Sequence, residues 1–124
     1  MRRIKFKGYG VVLPKNTVSF KEHIRYRISE GETQLSLAVA ACEKALKNSN
    51  ISINDIDCIV SASAVGVQPI PCMAALIHEK IAKGTSIPAL DINTTCTSFI
   101  TALDTMSYRL EAGRYKRVLI VSCD

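Results

Sequence analysis

Tryptophan is absent from this chain of 124 residues, and histidine occurs only as His23 and His78. With so few imidazoles and no clustered carboxylates, neither a Ser-His-Asp set nor a carboxylate pair can be assembled from the sequence. No run of about 18 apolar residues is present, so no membrane-spanning helix is expected. The start, Met1-Arg2-Arg3-Ile4-Lys5-Phe6-Lys7, lacks the apolar core and small-residue cleavage site of a secretory signal. The five cysteines (Cys42, Cys58, Cys72, Cys96, Cys123) form no C-x-x-C pair. That argues against a metal site and against a disulfide framework, and it suits a reducing, cytoplasmic compartment. Nucleic acid is disfavoured, because no arginine-rich run, aromatic stacking set or reader motif appears. Gly8-x-Gly10 is no dinucleotide fingerprint, since Pro14 falls where a phosphate-binding helix would begin.

What is present is a moderately apolar chain: 48% hydrophobic and 22% charged residues, enough for one domain with a core. The net charge of +5 is unevenly placed. Eight of the sixteen Lys and Arg lie in residues 1–27 against one acid, Glu22, while the other eight meet ten acids. A basic N-terminal region could meet an acidic or phosphorylated partner. It could equally be a solvated strand edge guarded by Lys and Arg, which is the simpler reading.

Taken in order, Ile4 to Leu13 reads as a first strand, buried from Gly8 onward, and Pro14-Lys15-Asn16 ends it. Residues 15–31 read as loop or short irregular structure. Thr33 is a plausible N-cap for a helix to Lys47, with Leu37, Ala40, Ala41 and Ala45 on its core face. Asp57 to Ala64 is a second strand, apolar enough to be central. Pro71 fits the first position of a helix that runs to Lys83 and stops at Gly84, burying Met73, Leu76, Ile77 and Ile81. Both histidines read as structural or solvated. Ala89 to Ile92 is a third strand. A helix from Cys96 or Thr97 to Ala112 is followed by Gly113 and a fourth strand, Arg117 to Ser122. The alternation β, loop, α, β, α, β, α, β implies an α/β fold with a mostly parallel sheet covered by helices on both faces.

Reactive residues in such sheets lie at the C-terminal ends of strands. One cysteine meets that description. Cys96 follows the third strand in the turn Asn93-Thr94-Thr95 and precedes a helix, where unpaired N–H groups favour a thiolate. A thiolate is a nucleophile suited to thioester chemistry. The alternative is a small residue packing the turn. Thr94, Thr95 and Ser98 would shape that turn. The chain stops one or two residues after an apolar strand, which reads as part of a longer protein.

Four stretches taken together resemble the N-terminal half of the β-ketoacyl-acyl carrier protein synthase III family, within the thiolase-like superfamily. They are Gly8-Tyr9-Gly10-Val11-Val12-Leu13-Pro14, then Glu32-Thr33 with its alanine-rich helix, then Ile53-x-Asp55-Ile56-Asp57-Cys58-Ile59-Val60. The fourth is Asp91-Ile92-Asn93-Thr94-Thr95-Cys96 with Phe99, continued by Gly113-Arg114-Tyr115-Lys116-Arg117-Val118-Leu119-Ile120-Val121. The resemblance implies that residues 1–124 form a single thiolase-like half-domain whose C-terminal partner half is absent. It implies that Cys96 takes an acyl group from a coenzyme A or carrier-protein thioester, then condenses it with a malonyl thioester with loss of carbon dioxide. Coenzyme A enters as substrate, and no resident cofactor or metal is implied. A His and an Asn of the second half would stabilise the oxyanions, so this stretch alone is expected to be inactive. Homodimers paired through residues 88–92 are implied, with no nucleic acid and no membrane partner.

The sequence also departs from the family. Region 15–31 is shorter, lacks the acidic-Trp element, and keeps Ile24-Arg25-Tyr26-Arg27-Ile28 where an Arg-Thr-Gly-Ile element helps hold coenzyme A. Arg25 and Arg27 are the candidate contacts there, to coenzyme A or to an acidic carrier protein. Ile70 stands where many members have Phe, and Thr97-Ser98 replaces a small residue plus Gly. A hydroxymethylglutaryl-coenzyme A synthase or a secondary-metabolite ketosynthase would use the same cysteine. A non-catalytic dimerisation scaffold and a nucleotide-binding domain are the readings of other classes.

Overall fold

A computed structural model describes residues 3–124. Its centre is β3 (Cys58–Ser61), in which every residue is buried. The sequence there is continuously apolar because both faces are covered. β4 (Ala89–Asp91) lies on one side and β5 (Val118–Val121) on the other, both parallel to β3. The register sets Ser61 beside Asp91 and Val121, so the three C-terminal strand ends open at one level.

Side chains alternate across this sheet and build two cores. On one face Ile59, Leu119 and Val121 pack with Ala38 and Cys42 of α1 (Gln34–Ser49) and with Met73 and Ile77 of α2 (Met73–Ile81). On the other, Cys58, Val60 and Ala62 meet Ala102 and Met106 of α3 (Ser98–Glu111), together with Tyr115. The parallel sheet with helices on both faces is therefore as the sequence implies.

The helix signals held for the cap of α1 and the face of α2, and slipped for the face of α1 and the ends of α2. Thr33 caps α1 in a reciprocal box: its Oγ1 accepts from Ser36 N–H (3.0 Å), and Ser36 Oγ accepts from Thr33 N–H (2.9 Å). The fully buried stripe of α1 is Ala38 and Cys42; Leu37, Ala40, Ala41 and Ala45 are partly buried, and of these Ala45 packs against the core. The reason is a second neighbour. Residues 8–11 run across the predicted face: Asn48 Nδ2 donates to Tyr9 O (2.9 Å) and Lys44 Nζ to Val11 O (2.8 Å). A Cβ on Gly10 would stand 2.5 Å from Ala41 O and 2.6 Å from Ala45 N, so only glycine allows this approach. In α2, Met73 and Ile77 are buried as expected, joined by Ala74, with Leu76 and Ile81 partly covered. Its first residue is Met73 rather than Pro71, and it ends at Ile81.

Two expectations fail at the N-terminus. Ile4–Leu13 is not a strand: it is extended chain with no ladder, and Tyr9 is 78% exposed. A strand needs a partner edge. The outer edge of β5 lies across a cavity of about 840 Å³ from these residues, walled in part by Phe6, Ala45, Phe99, Met106 and Ile120. Conversely, residues 15–31 are not irregular. β1 (Asn16–Phe20) and β2 (His23–Arg27) form an antiparallel hairpin in which Asn16 faces Arg27 and Phe20 faces His23. Lys21 makes the turn with φ 54°. Glu32 closes the base, accepting from Ser29 N–H (2.9 Å), Ser29 Oγ–H (2.5 Å) and Lys15 N–H (3.2 Å).

Candidate active site

Cys96 sits in the turn between β4 and α3, at the C-terminal end of the parallel sheet. The helix begins at Ser98 with Thr97 at its cap, so the cysteine stands just ahead of the first turn rather than inside it. Of the five cysteines it alone is exposed. Cys42 and Cys58 are buried, and burial, aided by the Glu43 charge, pushes the Cys42 thiol up to about 12. Burial likewise raises Cys58 and Cys123. These three thiols are held in the unreactive protonated form.

The turn is built by short polar side chains. Ser98, almost fully buried, accepts from Thr94 N–H (3.0 Å) and donates to Thr95 O (2.6 Å). Thr97 Oγ1 donates to Thr94 O (2.8 Å), and the hydroxyls of Thr94 and Thr101 are 2.8 Å apart. Thr95 has φ 56°, a conformation that β-branched residues avoid. Its N–H donates to Asn93 Oδ1 (2.9 Å), closing an Asx turn. The three residues expected to shape the turn do so, and Asn93 joins them.

Neighbouring strand ends brace this turn. Asp91, the last residue of β4, accepts from Met73 N–H (3.0 Å) and Ala74 N–H (2.7 Å). It supplies the N-terminal cap that Cys72, without a side-chain cap bond, does not give α2. Asn93 Nδ2 donates to Ala64 O (2.8 Å). Asp124 Oδ1 accepts from Ala64 N–H (2.6 Å) and Val65 N–H (3.2 Å), and Gln34 Nε2 donates to Val65 O (2.6 Å). Gln34 also donates to Cys123 O. Sequence reasoning missed Asn93, Asp91, Gln34 and Asp124. Each acts on backbone of an element remote in sequence, and no spacing rule signals that.

Neither histidine joins the site. His78, on α2, has its Nε2 3.2 Å from Thr85 Oγ1 in the loop that follows, and His23 is exposed in β2. Arg25 and Arg27, two residues apart on β2, share one face of the hairpin and are exposed. No hydrogen bond links either to the cysteine turn among the described residues. No group of three or more His, Cys, Asp or Glu side chains that could hold a metal occurs among them. No helix among them is long and apolar enough to cross a membrane.

Known proteins supply the context. The family model for 3-oxoacyl-[acyl-carrier-protein] synthase III matches residues 90–124, the stretch holding the cysteine turn, α3 and β5. The β-ketoacyl-[acyl-carrier-protein] synthase III of Bartonella henselae is 37% identical over all of this chain and 44% of its own length. The Bartonella tribocorum protein of that name is 33% identical over the same shares. The crystal structure of 3-oxoacyl-[acyl-carrier-protein] synthase III from Aquifex aeolicus superposes with a TM-score of 0.85 at 28% identity, covering 93% of this chain and 42% of that one. The chain thus spans less than half the length of the curated relatives it matches. Sequence and fold together make it similar to the N-terminal half of β-ketoacyl-acyl carrier protein synthase III proteins.

Proposed function

We propose that this chain carries the nucleophile of an acyl-thioester condensing enzyme, and that Cys96 is that nucleophile. The observation behind the reading is the placement of the one exposed cysteine in the turn that leaves a parallel strand and enters a helix. Its thiolate attacks the thioester carbonyl of an acyl-coenzyme A or acyl carrier protein. The new C–S bond forms as the donor's C–S bond breaks, and the donor leaves as a thiol once protonated. A malonyl thioester then loses carbon dioxide, and the resulting enolate carbon attacks the acyl group, releasing Cys96 and forming the β-ketoacyl product. The resemblance implies that the oxyanion-stabilising His and Asn lie in the half of the relatives that this chain does not span. Residues 3–124 alone accordingly accept no more than the first step.

Arg25 and Arg27 present two guanidinium groups on one exposed face, suited to the phosphates of coenzyme A or of a carrier's prosthetic arm. The chain pairs with a second copy through β4, whose outer edge has no partner strand among the described residues. Five free cysteines suit a cytoplasmic setting.

The deciding measurement is intact mass after incubation with short acyl-coenzyme A and acyl-carrier thioesters, beside a Cys96→Ser control. An acyl increment that maps to Cys96 and vanishes in the control is expected. No increment in a protein that also carries the second half would overturn the assignment. Arg25→Glu with Arg27→Glu is expected to raise the half-saturating donor concentration, and an unchanged value would remove both arginines from the donor site.

A further inference from the structure

The four residues Asn93 to Cys96 combine a strained backbone with one side chain that bonds in two directions. Thr95 holds φ 56° although β-branched residues are rarely stable there. Something must keep it in place. Asn93 Oδ1 takes the Thr95 N–H at 2.9 Å, the bond of an Asx turn, which holds the backbone two positions on. The other end of the same amide, Nδ2, reaches Ala64 O at 2.8 Å, in the chain leaving β3. Ala64 is itself fixed by Asp124 after β5, and Val65 by Gln34 of α1. The amide therefore references the backbone of the cysteine turn to the ends of all three parallel strands.

We propose that Asn93 is a positioning residue for Cys96: it locks Thr95 in the left-handed conformation and ties the turn to the exit of β3, which fixes where the thiol is presented. This deepens the assignment of Cys96 as the acyl acceptor and rests on it. Asn93 touches no reacting atom. Its Oδ1 is occupied by Thr95 and its Nδ2 by Ala64, so it acts through backbone geometry alone. Only a side chain that both accepts and donates can serve both bonds, which excludes aspartate and alanine alike.

The test separates this role from general destabilisation by glycine rescue. Glycine adopts positive φ without steric cost, so a glycine at position 95 no longer needs the Asn93 lock. Single-turnover acylation of the full chain by a short acyl-coenzyme A is measured for wild type, Asn93→Ala, and Asn93→Ala with Thr95→Gly. The single variant is expected to lose about tenfold in the limiting acylation rate, with the half-saturating donor concentration unchanged, as for a misaimed nucleophile. The double variant is expected to regain most of that loss. In parallel, the HN–Hα coupling and backbone chemical shifts of residue 95 report its φ directly. Positive φ is expected in wild type, lost in Asn93→Ala, and regained in the double variant. If Thr95 keeps positive φ in Asn93→Ala, or if glycine restores none of the rate, the positioning role is overturned. If wild type itself takes no acyl group, the nucleophile assignment fails, and the φ measurement still decides what Asn93 holds.

Discussion

The described residues form two sheets, and the central strand of one stands at the opposite extreme of burial from both strands of the other. Every residue of β3 is buried, and every residue of β1 and β2 is exposed. Both are strands with paired backbones, so hydrogen bonding does not distinguish them. In β3, side chains on both faces are withdrawn from water, while β4 and β5 beside it are partly covered, and each buried residue is worth a substantial share of the fold's stability. In the hairpin, Phe20, Ile24 and Tyr26 remain largely in solvent, and the structure depends on the cross-strand register and on Glu32 at its base. One region is held by packing and the other by a local clasp. The cysteine turn grows from the first kind and the two candidate arginines from the second.

The sharpest way to break this comparison is at the centre of β3. Ile59→Ala removes a fully buried side chain, and a loss of about 2–5 kcal/mol in urea unfolding is expected. A loss below 1 kcal/mol would mean that burial does not organise this sheet. Asp91→Ala comes next. It frees Met73 N–H and Ala74 N–H at the start of α2, and about 1–2 kcal/mol is expected from the same measurement.

A smaller effect is carried by pH. The Asp57 carboxyl is held below the usual range by the Arg117 and Lys116 backbone N–H groups that donate to it. A depressed native value favours the folded state above the ordinary aspartate range, and that benefit is lost as pH falls through the native value. The Glu32 carboxyl is lowered in the same sense by the Ser29 hydroxyl and amide, then by Lys15 N–H. Unfolding compared between about pH 6 and about pH 3 should therefore show a smaller acid loss in Asp57→Asn than in wild type. Equal losses would detach Asp57 from the acid response. The smallest effect belongs to the hairpin: Phe20→Ala, at a 64% exposed position, should stay within about 0.5 kcal/mol of wild type.

How far the sequence could be read follows the same division. The apolar run of β3, the Thr33 cap and the glycine stop at Gly113, with φ 71°, are local signals, and each was legible. The hairpin was hidden because Lys21-Glu22 carries no Asn-Gly or Asp-Gly mark, and because alternation in exposed strands has no apolar face to reveal it. Ile4–Leu13 misled for the opposite reason. It alternates like an edge strand, yet its contacts go to the side of α1. At the candidate site, the turn around Cys96 was legible through its small polar residues, which the structure shows bonded to one another. Asn93 could not be singled out, because its two bonds are visible only once Ala64 and Thr95 are neighbours in space.

The pinned dipeptide Ala64-Val65 has a consequence for the order in which this molecule assembles. Its bonds come from Gln34, 31 residues before Val65, from Asn93, 29 residues after Ala64, and from Asp124, 60 residues after it. Loops of that length must close before any of those bonds can form, whereas α1 needs only its own neighbours. The brace that references the thiol turn is thus a late product of folding, finished when β5 arrives. Pulse labelling during refolding should find the Thr95 amide protected after the amides of α1. A chain whose β5 is delayed would meanwhile carry an exposed cysteine in a turn not yet aimed.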